Sequence, residues 1–195
     1  HAITAAKIFG IPLEEVTADQ RRIAKIANFG IMYGISSFGL AQRLHIGRAE
    51  AKKIIEDYFA NFPAISSFIE DTLTAARETG YVETIFGRRR YLPDINSRNA
   101  TVRSLAERTA INAPIQGTSA DIIKLAMINV SRRIQEEGLQ SRMVLQIHDE
   151  LVFDAVPQEI NMLQQIVREE MENVIELSIP LTVECNYGKN WLEAH

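Results

Sequence analysis

Four helix breakers, Pro12, Gly34, Gly47 and Pro63, divide the first 80 residues of this 195-residue chain and dictate a helical start to the fold. Proline removes a backbone donor and crowds the preceding turn, and glycine at a helix end frees the chain to leave it. The intervening apolar periodicity predicts helices near 2–9, 18–33, 37–45, 48–60 and 63–79. Residues 81–92 alternate around Gly87 and read as a short hairpin that carries Arg88, Arg89 and Arg90 at its turn. PDINSRN, residues 93–99, reads as a loop and as the boundary between two subdomains, 1–96 and 97–195. A helix over 100–113 follows and is expected to kink or end at Pro114, then a long amphipathic helix over 118–137 stops at Gly138. The remainder changes character, with β-prone runs at 143–147 and 150–156, a helix over 158–177 and a strand over 180–186. The fold class is α+β: a mostly helical first subdomain, then a small antiparallel sheet with flanking helices.

Within RRIAKIANFGIMYG, Arg21, Lys25, Phe29 and Tyr33 recur every four residues. At about 100° per residue they fall at roughly 0, 40, 80 and 120°, a stripe about 18 Å long with cations at its start and rings at its end. Ala27, Gly30, Ile23, Ile26 and Ile31 occupy the opposite side, which can pack on the protein. Such a stripe can hold a polyphosphate at one end and stack a base and sugar at the other. The same spacing also describes a solvated basic stripe with two core aromatics. Thr17 followed by Gln20 fits a capping box, and Gly34 with Ser36 and Ser37 supplies a stop. The positive end of the helix dipole lies near Arg21 and favours phosphate.

The formal charge of −4 argues against a generic nucleic-acid binder, but its distribution matters more. Cations gather before residue 143, whereas the basic residues after it are Arg168 and Lys189, set among carboxylates such as Asp149, Glu150, Asp154, Glu159 and Glu169. Hydrophobic residues make up 46% of the chain, enough for a real core, yet no apolar run is long enough to cross a membrane. Cys185 is the one cysteine, so no internal disulfide can form. A cytoplasmic protein without a membrane partner is the expectation.

Two further patterns carry chemistry. His148, Asp149 and Glu150 join two strong strands, although His-Asp is a poor pair for a two-residue turn. Weak turn chemistry between strong strands suggests a functional demand, and two rigid carboxylates suit a divalent metal, although an ordinary exposed acidic turn has the same residues. In AERTAINAPIQGTSAD, Arg108, Asn112 and Gln116 again recur every four residues. All three can donate to acceptors common to every base pair in the DNA minor groove, and a plain solvent-facing polar stripe reads alike.

Taken together, RRIAKIANFGIMYG, GYVETIFGRRRYLPDI, AERTAINAPIQGTSADIIK, QIHDELVFDA and the terminal NWLEAH resemble family A DNA polymerases, the bacterial DNA polymerase I group, in this order and across the chain. The resemblance implies a DNA-directed DNA polymerase of replication and repair that adds deoxynucleotides to a primer 3′-hydroxyl. Its partners would be primer-template DNA, deoxynucleoside triphosphates and the remainder of the polymerase chain, in a nucleoid-associated cytoplasmic setting. It implies that residues 1–96 are fingers and 97–195 part of the palm. Arg21, Lys25 and His1 would contact the nucleotide phosphates, Phe29 its sugar and base, and Tyr33 the nascent pair. Arg108, Asn112, Gln116 and His148 would contact DNA. Asp149 would bind metal with Glu150 beside it, two Mg²⁺ ions being expected in the intact enzyme, and Lys25 would join these two carboxylates in catalysis.

One departure is large: no segment resembles the family's Asp-Tyr-Ser-Gln-Ile-Glu strand, which holds its first metal-binding aspartate. The expectation is therefore a C-terminal fingers and palm portion that is inactive by itself. A non-catalytic nucleic-acid-binding module and a single-subunit RNA polymerase relative are the alternatives.

Overall fold

The computed structural model describes residues 1–194, which form two compact units, 1–115 and 116–194. In the first unit, α1 (Ala2–Phe9), α2 (Ala18–Met32), α3 (Ser37–Leu44) and α4 (Arg48–Asn61) surround one core. Ile8, Ala27, Ile31, Leu40, Leu44, Ile54 and Tyr58 fill it. A second cluster joins Ala76 of α5 (Pro63–Thr79), Val82 of β1 (Tyr81–Glu83), Leu92 just after β2 (Arg89–Tyr91), and Ile95 to Ala106 and Ala110 of α6 (Ala100–Glu136). This packing carries the first unit past the loop at 93–99, where the sequence suggested a boundary. Arg77 adds an ion pair to Glu107 at 2.9 Å, and Asn96 donates to the Arg77 carbonyl at 2.9 Å.

Both ends of α2 are set by local chemistry. Gln20 N–H donates to Thr17 Oγ1 at 3.3 Å and Thr17 N–H donates to Gln20 Oε1 at 2.9 Å, the expected capping box. At the other end Ile35 N–H donates to the Gly30 carbonyl at 2.8 Å and Gly34 N–H to the Ile31 carbonyl at 2.9 Å. With Gly34 at φ +65°, these bonds form a Schellman motif, in which a left-handed residue lets the chain turn back and satisfy the last carbonyls. Ile35 then lies over Gly30, where an added methyl would stand 2.9 Å from Ile35 Cγ2.

The expected break at Pro114 does not occur. α6 runs unbroken from Ala100 to Glu136, although the proline removes one helical hydrogen bond. Packing outweighs that local cost: Ala106 and Ala110 are buried in the cluster above, while Val130 and Ile134 are buried in the core of the second unit.

In that second unit, β3 (Arg142–Ile147) and β4 (Glu150–Asp154) form an antiparallel hairpin, and α7 (Ile160–Glu172) shares a core with Val130 and Ile134. Pairing shifts between Met143 and Leu145, leaving Val144 as a bulge. Met143 and Phe153 turn toward the helices, whereas Val144 and Leu145 stay exposed. The helix expected over 158–177 is shorter than its apolar pattern, since a 3₁₀ turn occupies Pro157–Glu159 and α7 ends at Glu172. The strand expected over 180–186 is absent: with no neighbouring strand to pair with, this segment is tied by side chains instead. Val183 N–H donates to Glu172 Oε1 at 2.9 Å, and Gln164 Nε2 donates to the Cys185 carbonyl at 3.0 Å. A last short helix, α8, covers Trp191–Ala194. No helix of the described residues is long and apolar enough to cross a membrane.

Two outcomes test these constraints. Gly34→Ala forces a side chain into left-handed backbone and against the stem of Arg108, so it should destabilise the first unit by about 1–2 kcal/mol, read from urea unfolding. In the second unit the Glu159 carboxylate accepts from Ser141 Oγ at 2.7 Å, Ser141 N–H at 2.9 Å and Gln140 N–H at 3.0 Å. The Ser141 hydroxyl foremost, then the Gln140 amide, holds its pKa below the ordinary glutamate value. A depressed folded pKa means stability that is present above the unfolded value and lost as pH falls through the folded one. Glu159→Gln should flatten that acid limb in pH-dependent unfolding.

Candidate functional site

Helix α2 turns the predicted stripe outward. Ala24, Ala27, Gly30 and Ile31 are buried, whereas Arg21 and Lys25 are exposed and Phe29 and Tyr33 are 49% and 44% exposed. The two rings are therefore not core residues. Arg22, off the stripe, pairs with Asp19 at 3.3 Å, and no carboxylate of the described residues pairs with Arg21 or Lys25. Unpaired cations beside half-open rings form a surface suited to an anionic, flat ligand.

His1 joins the ring end of this surface. Its imidazole lies 5.7 Å from the Phe29 ring, and its Nδ1 stands 2.9 Å from Nδ2 of Asn28. Asn28 Nδ2 also donates to Thr4 Oγ1 at 3.1 Å, which ties α2 to α1. When the amide donates to Nδ1, the ring proton sits on Nε2, leaving that nitrogen as a donor for a phosphate oxygen. Asn28 does not figure in the sequence reading. Its one available signal is an asparagine, a poor interior helix residue, among alanines and isoleucines.

Arg108 meets the same ring end of the stripe, at Tyr33. A methyl on Gly34 would lie 2.9 Å from Arg108 Cγ, so the absence of a side chain there is what admits the arginine stem beside Tyr33. Tyr33, Gly30, Gly39, Arg43 and Arg108 are among the residues lining a cavity of about 480 Å³. Asn112, one turn along α6, has a buried Oδ1 with no hydrogen-bond partner. An orphaned buried acceptor costs about 1–3 kcal/mol, which a donor on a ligand would recover. Gln116 is exposed on the same helix and is the first residue of the second unit.

The remaining candidates sit at the β3–β4 corner. Ile147 pairs with Glu150, so His148 and Asp149 alone make the turn. His148 has φ +54°, in the left-handed region that histidine adopts at a cost, and both turn side chains are exposed. Gln146 Nε2 donates to the His148 carbonyl and closes the corner. The strained turn sets the Asp149 carboxylate at the hairpin tip, with half-buried Glu150 at the start of β4. No group of three metal-ligating side chains occurs among the described residues, so these carboxylates do not complete a metal site by themselves.

The profile of DNA polymerase family A matches residues 1–193. The chain is 53% identical over 194 residues to DNA polymerase I of Geobacillus stearothermophilus, covering 100% of this chain and 22% of that protein. It is 50% identical over 195 residues to DNA polymerase I of Pseudomonas aeruginosa, covering 100% of this chain and 21% of the relative. Among solved structures, the POL domain of Pol1 from M. smegmatis, in complex with DNA primer-template and dNTP, superposes with a TM-score of 0.96 at 47% identity. That match covers 100% of this chain and 34% of the other. The chain thus spans about a fifth of the curated relatives it matches and belongs to DNA polymerase family A.

Proposed function

We propose that this chain is the nucleotide-gripping and DNA-contacting portion of a DNA-directed DNA polymerase, with residues 1–96 acting as fingers and 97–195 as part of the palm. The observation that carries this reading is the α2 surface, where Arg21 and Lys25 lie in line with two half-open rings on a helix of fixed length. Arg21, Lys25 and His1 would hold the triphosphate and offset charge on the departing pyrophosphate as the primer 3′-hydroxyl attacks the α-phosphate. Phe29 would lie against the sugar and base, and Tyr33 beside the nascent pair. Arg108, Asn112 and Gln116 would track the minor groove without reading sequence, with His148 near the primer end.

Family A polymerases are metal-dependent, and Asp149 and Glu150 are hard oxygen donors of the kind Mg²⁺ prefers. Asp149 would be one ligand of the metal site, with Glu150 supporting it. The described residues supply no group of three ligands, so the 195-residue polypeptide should bind nucleotide yet fail to extend a primer. The setting would be cytoplasmic and nucleoid-associated, in replication and repair.

Titration with a deoxynucleoside triphosphate tests the grip: Lys25→Ala should weaken binding at least about tenfold, the loss of a charge-assisted contact. Unchanged affinity would remove the reading. In a longer polymerase bearing these residues, Asp149→Asn should slow extension by roughly 10²–10³-fold with nucleotide binding retained. His148→Gly relieves the left-handed strain and should raise stability by about 0.5–1 kcal/mol while slowing extension. A variant that gains stability with extension intact would remove His148 from the site.

A further inference from the structure

His1 reaches the nucleotide grip from α1, and its backbone is fixed separately from its ring. Its carbonyl accepts the Ala5 N–H at 2.9 Å, the first bond of α1, so the residue caps that helix while its imidazole meets α2. Two contacts hold the ring: Phe29, with ring planes 57° apart, and Asn28, whose Nδ2 stands 2.9 Å from His1 Nδ1. The ring is otherwise exposed, and no side chain of the described residues bonds its Nε2.

Asn28 is half-buried between the outward stripe and the buried face of α2. Beneath it lies the hydroxyl of Thr4, a residue only 9% exposed, which accepts from Asn28 Nδ2 at 3.1 Å. An amide nitrogen carries two hydrogens and accepts none, so with one directed to Thr4 the other is directed to His1. The ring nitrogen that meets it is then an acceptor.

We propose that Asn28 is a positioning residue of the nucleotide grip: it holds the His1 ring as the tautomer protonated at Nε2, which presents the triphosphate with a donor instead of a lone pair. The inference rests on the reading of His1 as a phosphate contact. A free neutral imidazole populates both tautomers, and the hydrogen bond made by one nitrogen decides what the other offers. Protonated at Nδ1, the ring would turn an acceptor toward a phosphate oxygen and repel it. Arg21 and Lys25 face no such choice, because their head groups are donors only. Asparagine inside a helix is ordinarily unfavourable because its side chain competes for backbone partners, but here α1 occupies that side chain.

The experiment is ¹⁵N NMR of the 195-residue chain labelled at its histidine rings, at about pH 8.5, where an ordinary imidazole is neutral. Titration with a deoxynucleoside triphosphate accompanies it, and the His1 signals are those lost in His1→Ala. The parent ring should be protonated at Nε2 and bare at Nδ1. Asn28→Ala should let the tautomers mix and weaken triphosphate binding about threefold to tenfold, the range of one ordinary hydrogen bond. Asn28→Asp, which keeps the shape but can only accept, should draw the proton to Nδ1. Added to His1→Ala, Asn28→Ala should weaken binding no further, since it acts through the ring.

Circular dichroism verifies folding, and if Asn28→Ala unfolds, the Asn28→Asp spectrum decides. A parent ring protonated at Nδ1, a His1 spectrum that Asn28→Asp leaves unchanged, or an Asn28→Ala loss that persists in full on the His1→Ala background would each overturn the assignment. Lys25→Ala keeps the two readings apart. Weakened binding there, with Asn28→Ala and His1→Ala binding like the parent, would discard Asn28 and leave the grip standing, whereas a parent that binds no triphosphate would discard both.

Discussion

The left-handed stop at Gly34 is the constraint on which the first unit's functional surface depends. It satisfies the last carbonyls of α2, ends the helix at Tyr33, folds Ile35 over Gly30, and leaves room for the stem of Arg108. A residue with a side chain at this position would both strain the backbone and press on that arginine. Two side chains far apart in sequence, Tyr33 and Arg108, therefore line one cavity because a single residue between the helices has no Cβ. The capping box at Thr17 does the complementary work at the cationic end, so the length of the stripe is set by hydrogen bonds at both termini.

The second unit reaches a comparable result with a different device. Its β3–β4 corner lacks the glycine or asparagine that a tight turn prefers, and His148 takes the left-handed backbone anyway. The corner persists because the strands behind it are held: Phe153 and Met143 pack against the shared core, and Ser141, fully buried, bonds both to Glu159 and to the N–H of Val156. Strain at a tip that is overdetermined by its base is how a fold can keep a carboxylate where a tidier turn residue would otherwise sit. The bulge at Val144 leaves Val144 and Leu145 exposed just before the tip.

Much of this was legible in the sequence, for reasons that can be named. Helices α1 to α5 have breakers and caps made of local hydrogen bonds, and local chemistry needs no knowledge of the rest of the chain. The outward stripe follows from the same periodicity that buries Ala24, Ala27 and Ile31. Where the reading failed, tertiary contacts decided. Pro114 is a strong local signal, yet packing at Ala106 and Ala110 on one side and at Val130 and Ile134 on the other keeps α6 continuous. Residues 180–186 have β-prone composition, but a strand needs a partner, and side-chain bonds from Gln164 and Glu172 hold that backbone instead. Asn28 escaped notice because its importance lies in the Thr4 hydroxyl and the His1 ring, which only the packing of α1 brings to it.

Exposure of Phe29 and Tyr33 is the remaining physical cost. Fully burying a large apolar side chain is worth about 1.5–3 kcal/mol, so two half-open rings forgo on the order of 1 kcal/mol each. Rotating α2 to recover that burial would drive Arg21 and Lys25 toward the core at a larger cost, because an unpaired buried cation is far more expensive than an exposed ring. Cations and rings on one stripe thus lock each other outward. The spacing of four that first draws attention to these residues is therefore a stability argument as well as a functional one: it confines the unfavourable exposure to one face and leaves the opposite face free to be made of alanine, glycine and isoleucine.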